Sequence, residues 1–459
     1  MYRFYIRDDG YEYHYAELCR VFLSEGDFEI ISMNRLPDPE LLSSSSYVLG
    51  ADVHSDRDSI KRYLYIMLGK LTGMKPEWGT LTGVRPLKPA LDILDKCGHL
   101  EDMKLALKDK YLLSDSKADL LGEIAEYQLK HVKGNPSDCV SVYTGIPFCP
   151  TRCEYCSFAS NVAGDEEIER YLVDLKREII YTGQLYQEDK KDIESIYIGG
   201  GTPTTLSSSQ LKELIESLSD AFTVNPRDIE FTVEAGRPDT ITEDKLLILK
   251  ESGIGRISIN PQSMKDKTLR IIGRDHSSDD IRKAFALANK VGFDVVNADL
   301  IAGLPEEDSG DFRASLDEII ELGAENITVH TLSVKRGSRL HEHDPQYYRR
   351  DIERVSEMLA YAGEKLKKCD YLPYYIYRQK HQMGAFENVG YCKEGTHSIY
   401  NIRIMEDKQS IIALGAGGVG KIYFPDEDRI ERVANVSNYE IYSERFYEML
   451  ERKNRYFGG

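Results

Sequence analysis

The sequence predicts an α/β protein whose central part is a partial barrel of six strand–helix units. From about residue 139, short segments rich in Val, Ile, Tyr or Thr alternate with amphipathic helices. Parallel strands need long, right-handed crossover connections, and these helices supply them. Six units are fewer than the eight of a closed barrel, so we expect an open, partial one.

Each element of this barrel has its own signal. The strand-like segments are 139–145, 193–198, 229–234, 256–260, 294–301 and 326–331. The first intervening helix carries an apolar stripe at positions i, i+4, i+7 and i+11, formed by Ile168, Leu172, Leu175 and Ile179. The second opens at Ser207, three residues before Gln210, which is the spacing of a capping box.

The regions on either side of the barrel have other patterns. We assign residues 1–135 to an N-terminal accessory α+β domain, 136–345 to the barrel and 346–459 to a C-terminal α+β extension. In the first region we expect strands at 2–6, 11–15 and 27–33 and helices around 58–70 and 101–130. The segment WGTLTGVRP (78–86) holds the single tryptophan and predicts a structural corner.

The composition excludes some classes of partner. A formal net charge of −18 works against nucleic-acid binding, which depends on a cationic surface. The sequence has no run of about 18 apolar residues, so we expect no membrane span. The start, MYRFYIRDDGYEYHY, lacks the apolar core of a secretory signal. We therefore expect a cytoplasmic protein with no nucleic-acid partner.

Three cysteines lie close together in GIPFCPTRCEYCSF (145–158), on the loop that leaves the first strand. Cys149, Cys153 and Cys156 have the spacing C-x3-C-x2-C, which suits three irons of one [4Fe–4S] cluster. A structural zinc site needs four protein ligands, and no second Cys/His pair has a matching spacing. A closed electron-transfer cluster needs a fourth cysteine, for which Cys139 and Cys392 are the available candidates. We predict a cluster with one open iron.

Two elements of the chain resemble the radical S-adenosylmethionine (SAM) superfamily. One is the cysteine spacing with an aromatic residue before the last cysteine. The other is GGGTPT (199–204), which is similar to the element that holds the methionine end of SAM. The resemblance implies a [4Fe–4S] cluster and SAM as cofactors, and SAM contacts from Tyr155, Gly200, Gly201 and Thr202.

Polar residues end the later strands of the barrel. Taken singly, such residues are usually caps or ion pairs. Taken together, Gln262, Arg274 and Asp299 have the spacing of the SAM site in the oxygen-independent coproporphyrinogen III oxidase family, which the chain resembles. The resemblance implies that the ribose and the methionine carboxylate of SAM are bound by Glu234, Gln262, Arg274 and Asp299. It also places Tyr143 beside the sulfonium as a catalytic residue.

Within that family the chain is most similar to the HemZ-type coproporphyrinogen dehydrogenases. The motifs that carry this similarity are WGTLTGVRP, EAGRPDT (234–240), ENVGYCKEGTHSIYN (387–401) and IIALGAGGVGK (411–421). Two residues depart from the founding enzymes, which have a fourth cysteine where this chain has Phe158 and a histidine where it has Gly145. Phe158 also fits the heme-chaperone and heme-degrading methyltransferase branches.

The resemblance implies oxygen-independent oxidative decarboxylation of coproporphyrinogen III to protoporphyrinogen IX, by a radical that removes hydrogen from propionate side chains. It also implies an electron donor such as flavodoxin or ferredoxin, and a C-terminal extension that covers the substrate. A heme chaperone and a radical SAM heme methyltransferase remain alternatives, with heme as the tetrapyrrole in both.

A substrate with four carboxylates needs a local cationic rim despite the acidic composition. We place Arg237 and Arg336 in this rim as catalytic-site residues, with Lys335, Arg339 and Arg378 as further candidates. A solvated surface is the alternative role of these cations. His330 ends the sixth strand, where a lone histidine is more often a core residue than a pocket residue.

Overall fold

The computed structural model describes residues 1–7, 10–33, 44–49, 56–158, 160–186 and 191–457. The chain divides into two compact units. The first unit comprises Met1–Glu126, Tyr377–Lys380 and Gly384–Phe386. The second comprises Tyr127–Ile376, His381–Met383 and Glu387–Gly459. The three-domain division at residues 135 and 345 stays a prediction.

The first unit begins with a small parallel sheet. Its strand β1 (Tyr2–Arg7) lies between β2 (Phe28–Met33) and β3 (Ser46–Val48), and both neighbours are parallel to it. The strand predicted at 11–15 is wrong, because these residues begin helix α1 (Glu12–Phe22). The tyrosines suggested a strand, but the buried residues of α1 recur at helical spacing, at Tyr15, Leu18, Cys19 and Phe22.

Four further helices follow, namely α2 (Arg57–Thr72), α3 (Leu87–Cys97), α4 (Leu100–Tyr111) and α5 (Asp115–His131). The helix predicted over 101–130 is thus two helices, separated at Leu112, whose φ of +58° ends α4. The WGTLTGVRP segment packs against this break, where Thr80 donates a hydrogen bond to the Tyr111 carbonyl at 2.7 Å. A Cβ on Gly79 would overlap that same carbonyl, so glycine is required there.

The second unit is built on six parallel strands in sequential order, and they confirm the predicted partial (β/α)6 barrel. The observed bounds agree with the predicted ones to within two residues at each end. The strands are β4 (Cys139–Ile146), β5 (Asp192–Gly200), β6 (Glu230–Glu234), β7 (Arg256–Gln262), β8 (Val295–Ala302) and β9 (Asn326–Thr331).

The crossover helices are α6 (Asp165–Tyr186), α7 (Ser208–Phe222), α8 (Glu243–Glu251), α9 (Asp266–Ile271), α10 (Ser278–Val291) and α11 (Ser309–Glu321). The predicted apolar stripe of α6 is buried, and α7 opens with the capping box expected between Ser207 and Gln210. Among the described residues, no helix is both long enough and apolar enough to cross a membrane.

The C-terminal part of the chain adds strands to both edges of the six-stranded core. Strand β11 pairs antiparallel with β9, and β12 pairs parallel with β4. The elements after β9 are α12 (Arg339–His343), α13 (Ile352–Lys368), β10 (Leu372–Tyr377), β11 (Asn388–Cys392), α14 (Ile399–Glu406), β12 (Ser410–Leu414), β13 (Val419–Phe424), β14 (Arg429–Ala434), α15 (Tyr439–Glu444) and α16 (Phe446–Phe457). The full strand order is β10-β11-β9-β8-β7-β6-β5-β4-β12-β13-β14.

A buried polar cluster fixes β12 to the barrel. The Glu178 carboxylate of α6 accepts hydrogen bonds from the backbone of Gly415 at 2.7 Å and from the Tyr442 hydroxyl at 2.7 Å. It also lies 3.4 Å from the Lys453 ammonium of α16. Removing one partner of such a buried pair would leave an uncompensated charge. The glycine-rich segment that follows β12 therefore serves to hold the C-terminal helices on the barrel.

Candidate active site

The three clustered cysteines lie on the loop that leaves β4. This loop folds against the segment that follows α9, because Glu154 donates a backbone hydrogen bond to the Ile272 carbonyl at 3.0 Å. Thr151 donates its hydroxyl to the Gly273 carbonyl at 2.9 Å. The Cys156 amide donates to the Cys153 carbonyl at 3.2 Å, which closes the loop on itself. The cysteine loop is thus held at the carboxyl ends of the strands.

The glycine run at the end of β5 lies directly against the cysteine loop. Gly201 donates to the Ile146 carbonyl at 2.8 Å, and the Thr202 amide donates to the Phe148 carbonyl at 2.7 Å. The Thr202 hydroxyl lies 3.3 Å from the Cys149 sulfur. A Cβ on Gly201 would lie 2.5 Å from the Phe148 oxygen and 3.0 Å from that sulfur. Only glycine allows this approach.

The cysteine loop has the donors that an iron–sulfur cluster needs. All three thiols are free, and burial raises the pKa of Cys149 to about 11, so that metal binding would release its proton. In the described part of the chain, no three His, Cys, Asp or Glu side chains are close enough to hold a single metal ion. Thiolates around a cube each bind a different iron and need not converge on one point.

Two carboxylates of the barrel, Glu234 at the end of β6 and Asp299 within β8, have pKa values shifted in opposite directions. Burial raises the pKa of Glu234 to about 7, although the Tyr197 hydroxyl donates to it at 2.7 Å. Burial would also raise the pKa of Asp299, but His330 and the Asn297 amide hold it below its usual value. The His330 ring nitrogen lies 3.4 Å from the Asp299 carboxylate, and the Asn297 side-chain amide donates a hydrogen bond to the same carboxylate at 2.9 Å. His330 therefore faces this polar site, which overturns the core position that we favoured.

Gln262 and Arg274 are buried with unused hydrogen-bonding atoms. Gln262 ends β7 with a φ of +67°, is 7% exposed, and its side-chain oxygen has no partner. Strained backbone of this kind concentrates at functional sites. Arg274 is 5% exposed and donates to the Asn260 carbonyl at 2.5 Å, while its Nε has no partner. No carboxylate among the described residues pairs with it, so a ligand carboxylate fits here.

Three tyrosines stack between these strand ends. The ring of Tyr143, on β4, lies 6.3 Å from that of Tyr197 on β5, and Tyr197 lies 4.7 Å from Tyr400 on α14. Burial raises the pKa of Tyr143 above its usual value, so its phenol stays neutral. Sequence reasoning identified Tyr143 but missed Tyr197 and Tyr400. The motif ENVGYCKEGTHSIYN contains Tyr400, but its spacing alone gave no reason to place this ring beside β5.

Comparison with known proteins agrees with this arrangement. Residues 143–319 match the radical SAM superfamily. The chain is 41% identical to the oxygen-independent coproporphyrinogen-III oxidase-like protein HemZ of Bacillus subtilis over 399 residues, which cover 86% of this chain and 80% of that protein. The chain belongs to the oxygen-independent coproporphyrinogen III oxidase-like family of radical SAM proteins. Its cofactors are a [4Fe–4S] cluster and SAM.

Other members of this radical SAM family are more distant. The heme chaperone HemW of Bacillus subtilis is 32% identical over 291 residues, which cover 61% of this chain and 71% of that protein. The solved structure of coproporphyrinogen III oxidase (HemN) from Escherichia coli superposes with a TM-score of 0.54. It is 21% identical and covers 73% of each chain, which supports the fold.

The structure gives the predicted rim residues of this radical SAM protein very different surroundings. Arg336 is exposed on the segment between β9 and α12, and Arg152 of the cysteine loop donates to the Gly337 carbonyl of that segment at 2.8 Å. The segment that carries Arg336 therefore contacts the cysteine loop. Arg378 is buried in the first unit, where its guanidinium donates to the Ala385 carbonyl at 2.6 Å.

Arg237 is not an exposed cation. Its side chain is buried, at 2% exposure, and its Nε and Nη2 lie 3.1 and 3.2 Å from the two carboxylate oxygens of Asp239. The same guanidinium donates to the Thr151 hydroxyl at 3.0 Å. We predicted an open rim position because Arg237 follows strand β6. Nothing in the local pattern indicates that the carboxylate of Asp239, two residues later, turns the Arg237 side chain inward.

Proposed function

We propose that this protein is a radical SAM enzyme that oxidatively decarboxylates coproporphyrinogen III to protoporphyrinogen IX without oxygen. The observation that carries the proposal is the 41% identity with HemZ across 80% of that protein, which bears the name of this activity's family. The site supports it, since the strained Gln262 has a side-chain oxygen without a partner, and the buried Arg274 has no carboxylate partner among the described residues.

In this proposal the chain's own residues hold and orient the cofactors. Three thiolates bind the cluster, and they belong to Cys149, Cys153 and Cys156. SAM is held by the glycine run with Thr202, and by Tyr155, Glu234, Gln262, Arg274 and Asp299. When bound, the two cofactors supply the one-electron chemistry that abstracts hydrogen. The neutral, stacked Tyr143 excludes water from the reacting centre.

Arg336 supplies a test of the substrate side of the proposal. Propionates need fixed cations, and an arginine fork binds a carboxylate with two hydrogen bonds. We expect Arg336→Ala to reduce tetrapyrrole turnover while SAM cleavage without substrate stays unchanged. The matched control is Arg282→Ala. Arg282 lies on helix α10 and pairs with Glu318 of helix α11. Equal turnover by both variants would show that Arg336 is ordinary surface.

A second candidate function is heme chaperoning, favoured by the 32% identity with HemW over 71% of its length. One experiment separates the candidates. The protein is purified without oxygen, its cluster is reconstituted, and it is incubated with SAM, a reductant and either coproporphyrinogen III or heme. Mass spectrometry then shows loss of two carboxyl groups for the proposed oxidase. Unchanged, tightly held heme would instead indicate a chaperone, and a methylated tetrapyrrole would indicate a methyltransferase.

A further inference from the structure

Cys153 is flanked by two buried cations. The Arg237 guanidinium places one nitrogen, Nη1, 3.8 Å from the Cys153 sulfur and 3.4 Å from the Thr151 carbonyl. Arg274, on the connection between α9 and α10, is close enough for its charge to act on the same thiol. Both arginines are at least nine-tenths buried. Water screening is weak in such a place, so their charges act strongly on the sulfur.

Arg237 is held in this position by its neighbours. Asp239 binds it through two parallel hydrogen bonds, which fixes the plane of the guanidinium. The second partner of Asp239 is His276, whose Nδ1 lies 3.2 Å from the same carboxylate. Because Asp239 occupies Nε and Nη2 of Arg237, the remaining nitrogen Nη1 faces the cysteine loop. The geometry therefore orients a donor at the sulfur rather than at solvent.

We propose that Arg237 is a positioning residue that donates a hydrogen bond to the Cys153 thiolate and thereby makes the bound cluster easier to reduce. Reduction adds one negative charge to the cluster and its thiolates, and a fixed cation beside one of them stabilises the reduced form more than the oxidised form. Hydrogen bonds to the ligand sulfurs are among the features that set the reduction potential of such clusters. This inference rests on the cysteine assignment in the proposed function.

The reduction midpoint of the reconstituted protein, followed by electron paramagnetic resonance during a redox titration without SAM, tests this role. Arg237→Gln removes the cation and shortens the donor, so we expect the equilibrium constant for cluster reduction to fall about tenfold, a shift of about 59 mV to lower potential for one electron. Arg237→Lys keeps the charge but loses the paired hydrogen bonds to Asp239, so we expect a smaller fall in the same direction.

The matched control is Lys245→Met. The Lys245 ammonium binds the carbonyls of Thr204 at 2.6 Å and Thr240 at 3.1 Å, so its loss disturbs the same turn without removing a donor to the cysteine loop. An unchanged midpoint in Arg237→Gln, or an equal fall in Lys245→Met, would overturn the inference. If Arg237→Gln assembles no cluster, Arg237→Lys decides in the same way. Iron content distinguishes failure of this inference from an error in the cysteine assignment. If the cysteine assignment is wrong, Cys153→Ala will retain the iron content of the wild type.

Discussion

Replacing Asp299 with asparagine removes a negative charge from the C-terminal half of β8 and changes little in volume. Asp299 keeps a low pKa through His330 at 3.4 Å and the Asn297 amide at 2.9 Å, so it is ionised at neutral pH and accepts hydrogen bonds strongly. A charge-assisted hydrogen bond to a ribose hydroxyl contributes about 1.5–3 kcal/mol. Its loss is expected to weaken SAM binding roughly ten- to a hundredfold.

Isothermal titration of SAM into the reconstituted protein measures this effect directly. The matched control is Asp294→Asn, since Asp294 immediately precedes the same strand at its opposite end and pairs with Lys250 at 3.1 Å in an exposed position. We expect Asp294→Asn to leave the dissociation constant unchanged within twofold. If Asp299→Asn also binds SAM with the wild-type constant, the ribose assignment is wrong, and Asp299 serves only to pair with His330.

Three other changes test separate parts of the site. Cys153→Ala should abolish the cluster while Cys392→Ala keeps it, and four irons retained in Cys153→Ala would refute the ligand assignment. Gly201→Ala forces a Cβ to within 2.5 Å of a loop carbonyl, so it should lower iron content. Gly164→Ala should not, because its Cβ would meet only the Glu167 carboxylate, at an ordinary contact distance of 3.9 Å. Burial raises the pKa of Glu307 to about 7, above its unfolded value, so stability falls as pH rises from about 4.5 to 7. Between pH 6 and 8, urea unfolding should show a loss of about 1 kcal/mol that Glu307→Gln does not share.

The six barrel strands were predictable because each combines a local composition with a local boundary. Strand β4, for example, was expected at 139–145 and spans Cys139–Ile146. Strands β11 and β12 were not predicted, because their pairing partners lie far away in sequence. Ser410 pairs with Val140, and nothing in either segment alone indicates the other. The hydrophobic periodicity of a segment therefore cannot predict that it pairs with a strand so distant in sequence.

The site shows the same division between local and distant information. The residues assigned by motif all belong to short, recognisable segments. The structure brings Glu234 and Asp299 close enough that the charge of Asp299 adds to burial in raising the pKa of Glu234. The burial of Arg237 was not predictable, for a physical reason. An arginine after a strand is often exposed, but here a carboxylate two residues later and the Thr151 hydroxyl supply enough hydrogen bonds to bury it.

The pairing of β12 with β4 sets an order of events during synthesis. The cysteine loop follows β4, yet the strand that covers the outer edge of β4 begins only at Ser410. A ribosome that adds about 5–20 residues per second needs roughly 13–50 s to make the roughly 250 residues between Cys156 and that strand. Throughout this interval the strand that carries the cluster loop has an open edge, which is a hazard for aggregation. The edge of the strand that leads into the cysteine loop is therefore completed late in synthesis, by a C-terminal segment that contributes none of the three cysteines.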